Sequence, residues 1–127
     1  MTGIVFDSGA LIALERNDRA IWAALKLAAT TSKDVIVPSA ALAQVWRGKP
    51  SQVQLHRALN CCVIASFDAV ARDVGLLCGR TRTTDICDAQ VAIVAAIQGD
   101  VLYTSDPNDM RRLVAAWGKN ALAIVRC

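Results

Sequence analysis

Two aspartates follow short apolar runs of the chain, Asp7 after residues 3–6 and Asp106 after residues 100–104. Both runs are rich in β-branched residues and too short for helices, so they are predicted to be strands. In open parallel sheets, ligands bind outside the carboxyl ends of the strands. If these two strands are neighbours, the carboxylates of Asp7 and Asp106 converge at one edge of the sheet.

Two further carboxylates precede the second of these strands. Asp88 lies in the first turn of a predicted long helix, residues 85–98, and Asp85 is three residues before it, so both can face the same side. Clustered carboxylates repel one another, which raises their pKa values unless a cation intervenes. Hard divalent cations such as Mg²⁺ and Mn²⁺ prefer oxygen ligands. The pattern therefore predicts a site for one of these ions, which would serve the hydrolysis of a phosphate ester.

Each of these aspartates also has a purely structural explanation. Asp7 and Asp106 stand where N-caps of the following helices would be, and Asp85 and Asp88 are placed to complement a helix N-terminus. Asp88 is the hardest to explain in this way, because it enters an apolar helix where a lone charge is costly. The coincidence of all four with the ends of strands and helices favours a functional site.

The elements that would position these residues alternate along the chain. The 54% hydrophobic and 20% charged residues argue against disorder. Strands are predicted at residues 3–6, 34–37, 61–65, 100–104 and 122–125, and helices between them, with Gly79 placed to end the helix that begins at residue 67. Alternating strands and helices predict an α/β fold with a parallel sheet of about five strands and helices on both faces. We expect residues 1–127 to form one domain.

Charge, cysteines and hydropathy narrow the class of protein. The net charge of +3 permits an anionic partner without demanding one. The five cysteines are odd in number and form no C-x-x-C pair, so reduced thiols in a cytoplasmic protein are expected. Neither a signal peptide nor a run of about 20 apolar residues is recognisable, so we expect no association with a membrane.

Three segments resemble the motifs of PIN domains, especially those of VapC-type toxins of bacterial toxin–antitoxin pairs. They are residues 4–14 (IVFDSGALIAL), 85–92 (DICDAQVA) and 103–109 (YTSDPND). Length and element order also match, so the resemblance covers essentially the whole chain. It implies a three-layer α/β/α fold and Mg²⁺- or Mn²⁺-dependent cleavage of RNA. It also implies a homodimer and a cognate antitoxin whose tail covers the active site. Asp7, Asp88 and Asp106 fall on the acidic positions of the family.

The chain departs from the family pattern at one acidic position. Family members usually carry a glutamate in the helix after the second strand, and this sequence has Gln44 there. A glutamine side chain carries no charge, so the site loses one negative charge. We hypothesise that Asp85 supplies the missing carboxylate as a further metal ligand.

Several polar and basic residues flank the predicted acids. Ser8, Gln44, Thr104 and Ser105 are candidates to orient the metal ligands, or else form caps and turns. Asp109 is interpreted as an acceptor in the cap of the last helix, and contact with a metal ion through water is the alternative. Four basic residues are candidates for holding a phosphate backbone, although a solvated surface explains them too: Arg47, Lys49, Arg80 and Arg82.

The function predicted from these residues is a metal-dependent endoribonuclease in which a metal-activated water attacks phosphorus. The sole histidine, His56, has no obvious partner, so a Ser-His or Cys-His mechanism is not favoured. With Gln44 in place of glutamate, a catalytically weakened domain that binds RNA or protein is the alternative. A phosphoacceptor receiver domain is disfavoured, because Asp7 is not paired with a second acid and no lysine follows the last strand.

Overall fold

Five strands and seven helices form the part of the chain described by the computed structural model, residues 3–118 and 122–127. The strands are β1 (Gly3–Phe6), β2 (Asp34–Pro38), β3 (Val63–Ala65), β4 (Gly99–Thr104) and β5 (Ala123–Arg126). The helices are α1 (Ser8–Glu15), α2 (Arg19–Thr30), α3 (Ser39–Val45), α4 (Val53–Leu59), α5 (Ala71–Thr81), α6 (Ile86–Gln98) and α7 (Pro107–Trp117). Short 3₁₀ turns precede α4 and α5, at Pro50–Gln52 and Asp68–Val70.

All five strands are parallel and lie in the order β3-β2-β1-β4-β5. The central strand β1 pairs with β2 on one side and β4 on the other, and Phe6 lies opposite Tyr103. The expected neighbourhood of the first and fourth strands is therefore confirmed. It brings the residues that follow Phe6 and Tyr103 to the same edge of the sheet.

The chain changes direction across the sheet between β1 and β4. It first moves outward from β1 to β3 and then returns to continue through β4 to β5. Right-handed crossovers then place α1 to α4 on one face of the sheet and α5 to α7 on the other, giving an α/β/α sandwich. Helix contacts agree, since α1 packs on α3 and α4 while α6 packs on α5 and α7. Ligands of open α/β sheets bind at such a switch point, which here is the end of β1.

The core lies between the sheet and its helices. Val5 and Phe6 in β1 are fully buried, and every residue of α6 from Ala89 to Ala95 is buried. Continuous burial of this kind is what a parallel sheet covered on both faces requires, and it explains the Ala-, Val- and Ile-rich composition.

One fully buried polar side chain joins the two faces near the carboxyl edge of the sheet. The Gln90 side chain in α6 accepts the Ala40 N–H at 2.9 Å and donates to the Ala65 carbonyl at 3.1 Å. It thereby ties the first turn of α3 and the end of β3 to α6. Because α3 and α6 carry the predicted site residues, Gln90 fixes their relative position.

Two local predictions are wrong. Cys61 and Cys62 do not belong to the third strand, because their N–H groups bond back to the carbonyls of Ala58 and Leu59 in the turn that ends α4. The exposed Gly79 does not end α5, which runs on to Thr81 and is closed by Arg82 in the left-handed conformation. A glycine within a helix costs only about 1 kcal/mol, which packing of the buried face of α5 offsets.

Two further observations concern the cysteines and the helices. All five cysteines carry free thiols. In residues 3–118 and 122–127, every helix is too short or too polar to cross a bilayer.

Candidate active site

Asp7 lies at the end of β1 and caps α1. Its Oδ1 accepts the Ala10 N–H at 2.9 Å, and the carboxylate also receives hydrogen bonds from Thr104 and from the backbone of Gly9 and Ser105. Only 5% of the residue is exposed. Burial raises the pKa of Asp7 above its ordinary value, and these hydrogen bonds offset part of the rise. A buried carboxylate is thus fixed at the switch point of the sheet.

Thr104 connects the ends of β1 and β4. Its buried hydroxyl donates to Asp7 and accepts the Asp106 N–H at 3.0 Å. Ser105, the residue after Thr104, packs closely against α1 because Gly9 has no side chain. A Cβ on Gly9 would lie 2.5 Å from the Ser105 Cβ. The two loops that carry Asp7 and Asp106 are therefore packed against each other.

Asp88 lies half-buried in the first turn of α6, within the field of three other carboxylates. Burial is the main cause that raises its pKa to about 7, and the negative charges of Asp85, Asp109 and Asp7 raise it further. The Asp88 N–H donates to Asp85 Oδ1 at 3.0 Å, so Asp85 is the N-cap of α6. The structure therefore brings Asp7, Asp85 and Asp109 within electrostatic reach of Asp88.

Asp106 and Asp109 both lie at the start of α7. Asp106 is exposed, and its Oδ1 caps the helix by accepting the Asp109 N–H at 3.2 Å. The capping interpretation of Asp109 is wrong, because the Asp106 N–H goes to Thr104 instead. The Asp109 carboxylate forms an ion pair with Arg112 at 2.8 Å and acts on Asp88. Asp109 thus contributes negative charge to the site.

Gln44 reaches the same place from α3, at the position where the PIN-domain pattern has glutamate. Its Oε1 accepts hydrogen bonds from the Ser8 hydroxyl at 2.5 Å and from the Cys87 thiol at 3.2 Å. Burial raises the pKa of Cys87, as do the charges of the neighbouring aspartates, so this thiol keeps the proton that it donates. Cys87 was not predictable as a site residue, because its position depends on how α6 is rotated toward α3.

The predicted basic residues separate into two groups. Arg47 and Lys49 line a groove that also includes Ser8, Ser105 and Gln44, which are neighbours of the acids in the sequence or the site. Arg80 packs over the ring of Trp117 at 5.4 Å, and Arg82 closes α5. Neither of these two lines the groove.

The carboxylates are engaged in helix capping rather than gathered around one point. Asp7, Asp85 and Asp106 each use Oδ1 to accept a backbone N–H. Within residues 3–118 and 122–127, no three His, Cys, Asp or Glu side chains are grouped closely enough to hold a metal ion. The geometry thus shows a concentration of negative charge at the edge of the sheet, with one carboxylate oxygen of each cap used structurally.

Comparisons with known proteins support the fold. No family model and no curated protein matches the sequence. Among solved structures, the chain matches one from the crystal structure of VapBC2 from Rickettsia felis bound to a DNA fragment from their promoter. The TM-score is 0.65 at 15% sequence identity, and the match covers 98% of each chain. At this identity the likeness concerns the fold, and the predicted three-layer, PIN-like α/β class is confirmed.

Proposed function

We propose that this protein is a Mg²⁺- or Mn²⁺-dependent endoribonuclease. The observation that carries the proposal is the position of Asp7, Asp85 and Asp88 at the switch point of the sheet, where burial and the charges of Asp85, Asp109 and Asp7 raise the pKa of Asp88 to about 7. Concentrated negative charge at a switch point is the electrostatic property of a cation site. Asp7, Asp88 and Asp106 lie at this carboxyl edge of the sheet, as caps or in the first turns of α1, α6 and α7.

The donors at this edge fit a hard divalent cation. They are oxygen atoms of carboxylates, and two of the carboxylates, Asp7 and Asp88, have raised pKa values that a bound cation would lower. Asp7, Asp88 and Asp106 would hold the ion, with Asp85 as a candidate further ligand. When bound, such an ion lowers the pKa of water and neutralises phosphate charge.

The residues around the acids have distinct roles in this proposal. Thr104 orients Asp7 through its hydroxyl, and Ser8 orients Gln44. Arg47 and Lys49 bind phosphates of the RNA in the groove that opens beside Ser8 and Gln44. Hydrolysis then needs no covalent bond between enzyme and RNA.

The proposal extends to a toxin that is controlled by an antitoxin. The similar solved structure is of a VapBC2 complex, so we infer that this chain also binds a cognate antitoxin. We further propose that it forms a homodimer in the cytoplasm, as the resemblance to VapC-type toxins implies. Co-purification with the product of a short neighbouring reading frame, and light scattering of the isolated protein, test these two assignments. A monomer that captures no such product would contradict both.

Cleavage of a mixed RNA in Mn²⁺ or Mg²⁺ tests the nuclease assignment. We expect Asp7→Asn to lower the cleavage rate at least about a hundredfold, because removing an electrostatic group of an active site has effects of that order. Asp34→Asn is the matched control, since Asp34 is exposed at the start of β2, the opposite end of the sheet. Equal rates for the wild type and Asp7→Asn would contradict the proposal.

The alternative is a domain that binds RNA or protein without cleaving it. Gln44 favours this alternative, because a neutral amide with its carbonyl already bonded to Ser8 and Cys87 replaces a carboxylate. RNA binding by the wild type without metal-dependent cleavage in the same assay would establish it.

A further inference from the structure

A groove begins at the candidate active site and runs along one side of α1. It encloses about 580 Å³, a volume that suits a nucleotide-sized ligand. Ser8 and Gln44 line it near the acids, and Glu15, Arg47 and Lys49 line it farther along. Since α1 rises 1.5 Å per residue, Glu15 lies about 10 Å from Ser8 along the helix axis. The groove therefore extends from the reaction centre toward a neighbouring nucleotide.

Glu15 is unexpected in this groove. It is the only glutamate of the chain, and the other charged residues that line the groove are Arg16, Arg47 and Lys49. In the described part of the chain Glu15 forms no ion pair. A track that bound phosphates alone would gain nothing from a carboxylate, which repels them. Beyond the hydrogen bond that Glu15 accepts from Gln52, its carboxylate is suited to a ligand group that donates hydrogen bonds.

Gln52 holds Glu15 in place. Gln52 is only 4% exposed, and its Nε2 donates to Glu15 Oε1 at 2.8 Å and to the Val45 carbonyl at 2.9 Å. Its Oε1 accepts the N–H groups of Arg47 and Gly48 at 2.8 and 3.1 Å. One fully bonded amide thus fixes the carboxylate together with the backbone that carries Arg47. A group held before its ligand arrives binds with a smaller loss of entropy.

We propose that Glu15 recognises guanine in the nucleotide next to the cleaved phosphodiester, an inference that rests on the proposed ribonuclease function. Proteins read single-stranded RNA through the Watson–Crick edges of unstacked bases. Guanine alone has two adjacent donors on that edge, N1–H and N2–H, which match the two oxygens of a carboxylate. Adenine and cytosine place a ring acceptor beside their single amino group, and uracil has one N–H between two carbonyls.

The other walls of the groove suit the rest of such a nucleotide. Ile12 is 38% exposed and lines the groove on the same side of α1, one turn before Glu15, so it offers an apolar surface to the face of the base. Arg47 and Lys49, exposed on the opposite wall, are available to the adjoining phosphates. Base and backbone are thereby recognised by different residues.

Binding of short RNAs without metal tests this inference. The probes are labelled oligouridines with one central guanosine, adenosine or cytidine, or with uridine alone, titrated in EDTA and followed by fluorescence anisotropy. We expect the guanosine probe to bind about tenfold more tightly than the others to the wild type. Glu15→Gln should reduce this preference to less than about twofold, because an amide offers a single acceptor. Asp34→Asn, which removes one negative charge at the other edge of the sheet, should keep the preference.

Two results would overturn the inference: equal binding of all four probes by the wild type, or a guanosine preference that persists in Glu15→Gln. Thermal melting of each variant shows whether it is folded, and Glu15→Asp, which retains the carboxylate, should keep part of the preference. Metal-dependent cleavage that is lost in Asp7→Asn but present in Glu15→Gln would leave the nuclease proposal intact in either case. Failure of the guanine-recognition proposal can therefore be distinguished from failure of the nuclease proposal.

Discussion

The two edges of the central sheet carry aspartates in opposite electrostatic situations. At the amino edge, Asp100 near the start of β4 forms an ion pair with Lys33 at 2.8 Å. At the carboxyl edge, Asp7 and Asp88 form no ion pair with any described residue, and both have raised pKa values. A fold selected for stability alone would neutralise both edges, because uncompensated buried charge is costly. This difference supports the proposed cation site at the carboxyl edge.

The largest expected effect on stability concerns the frame of the carboxyl edge. Gln90→Leu leaves the Ala40 N–H and the Ala65 carbonyl without their partner. We expect the free energy of unfolding in urea to fall by about 2 kcal/mol, the usual cost of buried unsatisfied polar groups. Gln98→Leu, an exposed change at the end of the same helix, is the control and should shift it by less than about 0.5 kcal/mol. Equal effects would mean that Gln90 does not fix α3 on α6.

The charge difference between the edges predicts how stability depends on pH. The pKa of Asp88 is about 7 in the folded protein and near 4 when unfolded, so between these pH values the folded chain holds a proton that the unfolded chain has released. Stability should therefore fall as pH rises from about 4 to about 7. In EDTA, we expect a melting temperature several degrees higher at pH 5 than at pH 7.5.

Asp88→Asn cannot ionise and should lose most of this pH dependence. Asp100→Asn, at the neutralised edge, should retain it. A wild-type melting temperature that does not change with pH would mean that the negative charge at the carboxyl edge is compensated by contacts other than these.

A glutamate in place of Gln44 would increase the charge difference between the two edges of the sheet. Gln44→Glu adds a carboxylate beside Ser8 and Cys87, and we expect Mn²⁺ to bind several-fold more tightly in calorimetry. Asp85→Ala should weaken Mn²⁺ binding if Asp85 is the replacement ligand. Unchanged affinity in Asp85→Ala would limit this residue to capping α6, the role that its bond to the Asp88 N–H already gives it.

The smallest effect on stability is expected from a substitution at the amino edge of the sheet. Lys33 and Asp100 are both partly exposed, and such ion pairs stabilise by less than about 1 kcal/mol. Lys33→Ala should therefore change the free energy of unfolding by less than that amount and leave RNA cleavage unaltered. A loss of cleavage would show that the two edges are coupled.

Residues at strand ends were predictable from the sequence, because strand order and the parallel direction fix where they lie. Asp7 needed only an apolar run before it and a helix after it. Asp109 and Cys87 were not predictable in the same way, since their proximity to Asp88 and Gln44 depends on the rotation of α7 and α6. Arg82 ends α5 in the left-handed conformation, which the sequence does not predict because the residue is not a glycine. The position of the Glu15 side chain was not predictable either, because Gln52, which bonds to it, is 37 residues away in the sequence.

Calorimetric titration of Mn²⁺ into the metal-free protein tests the central claim most directly. We expect the wild type and Asp100→Asn to bind the ion with similar affinity, because Asp100 is paired with Lys33 at the amino edge. Asp88→Asn should bind it at least about tenfold more weakly, because Asp88 lies among the carboxylates of the carboxyl edge. Binding should also release protons near pH 7, since the ion displaces the proton held by Asp88. Equal affinity in all three proteins, or no binding by the wild type, would contradict the account.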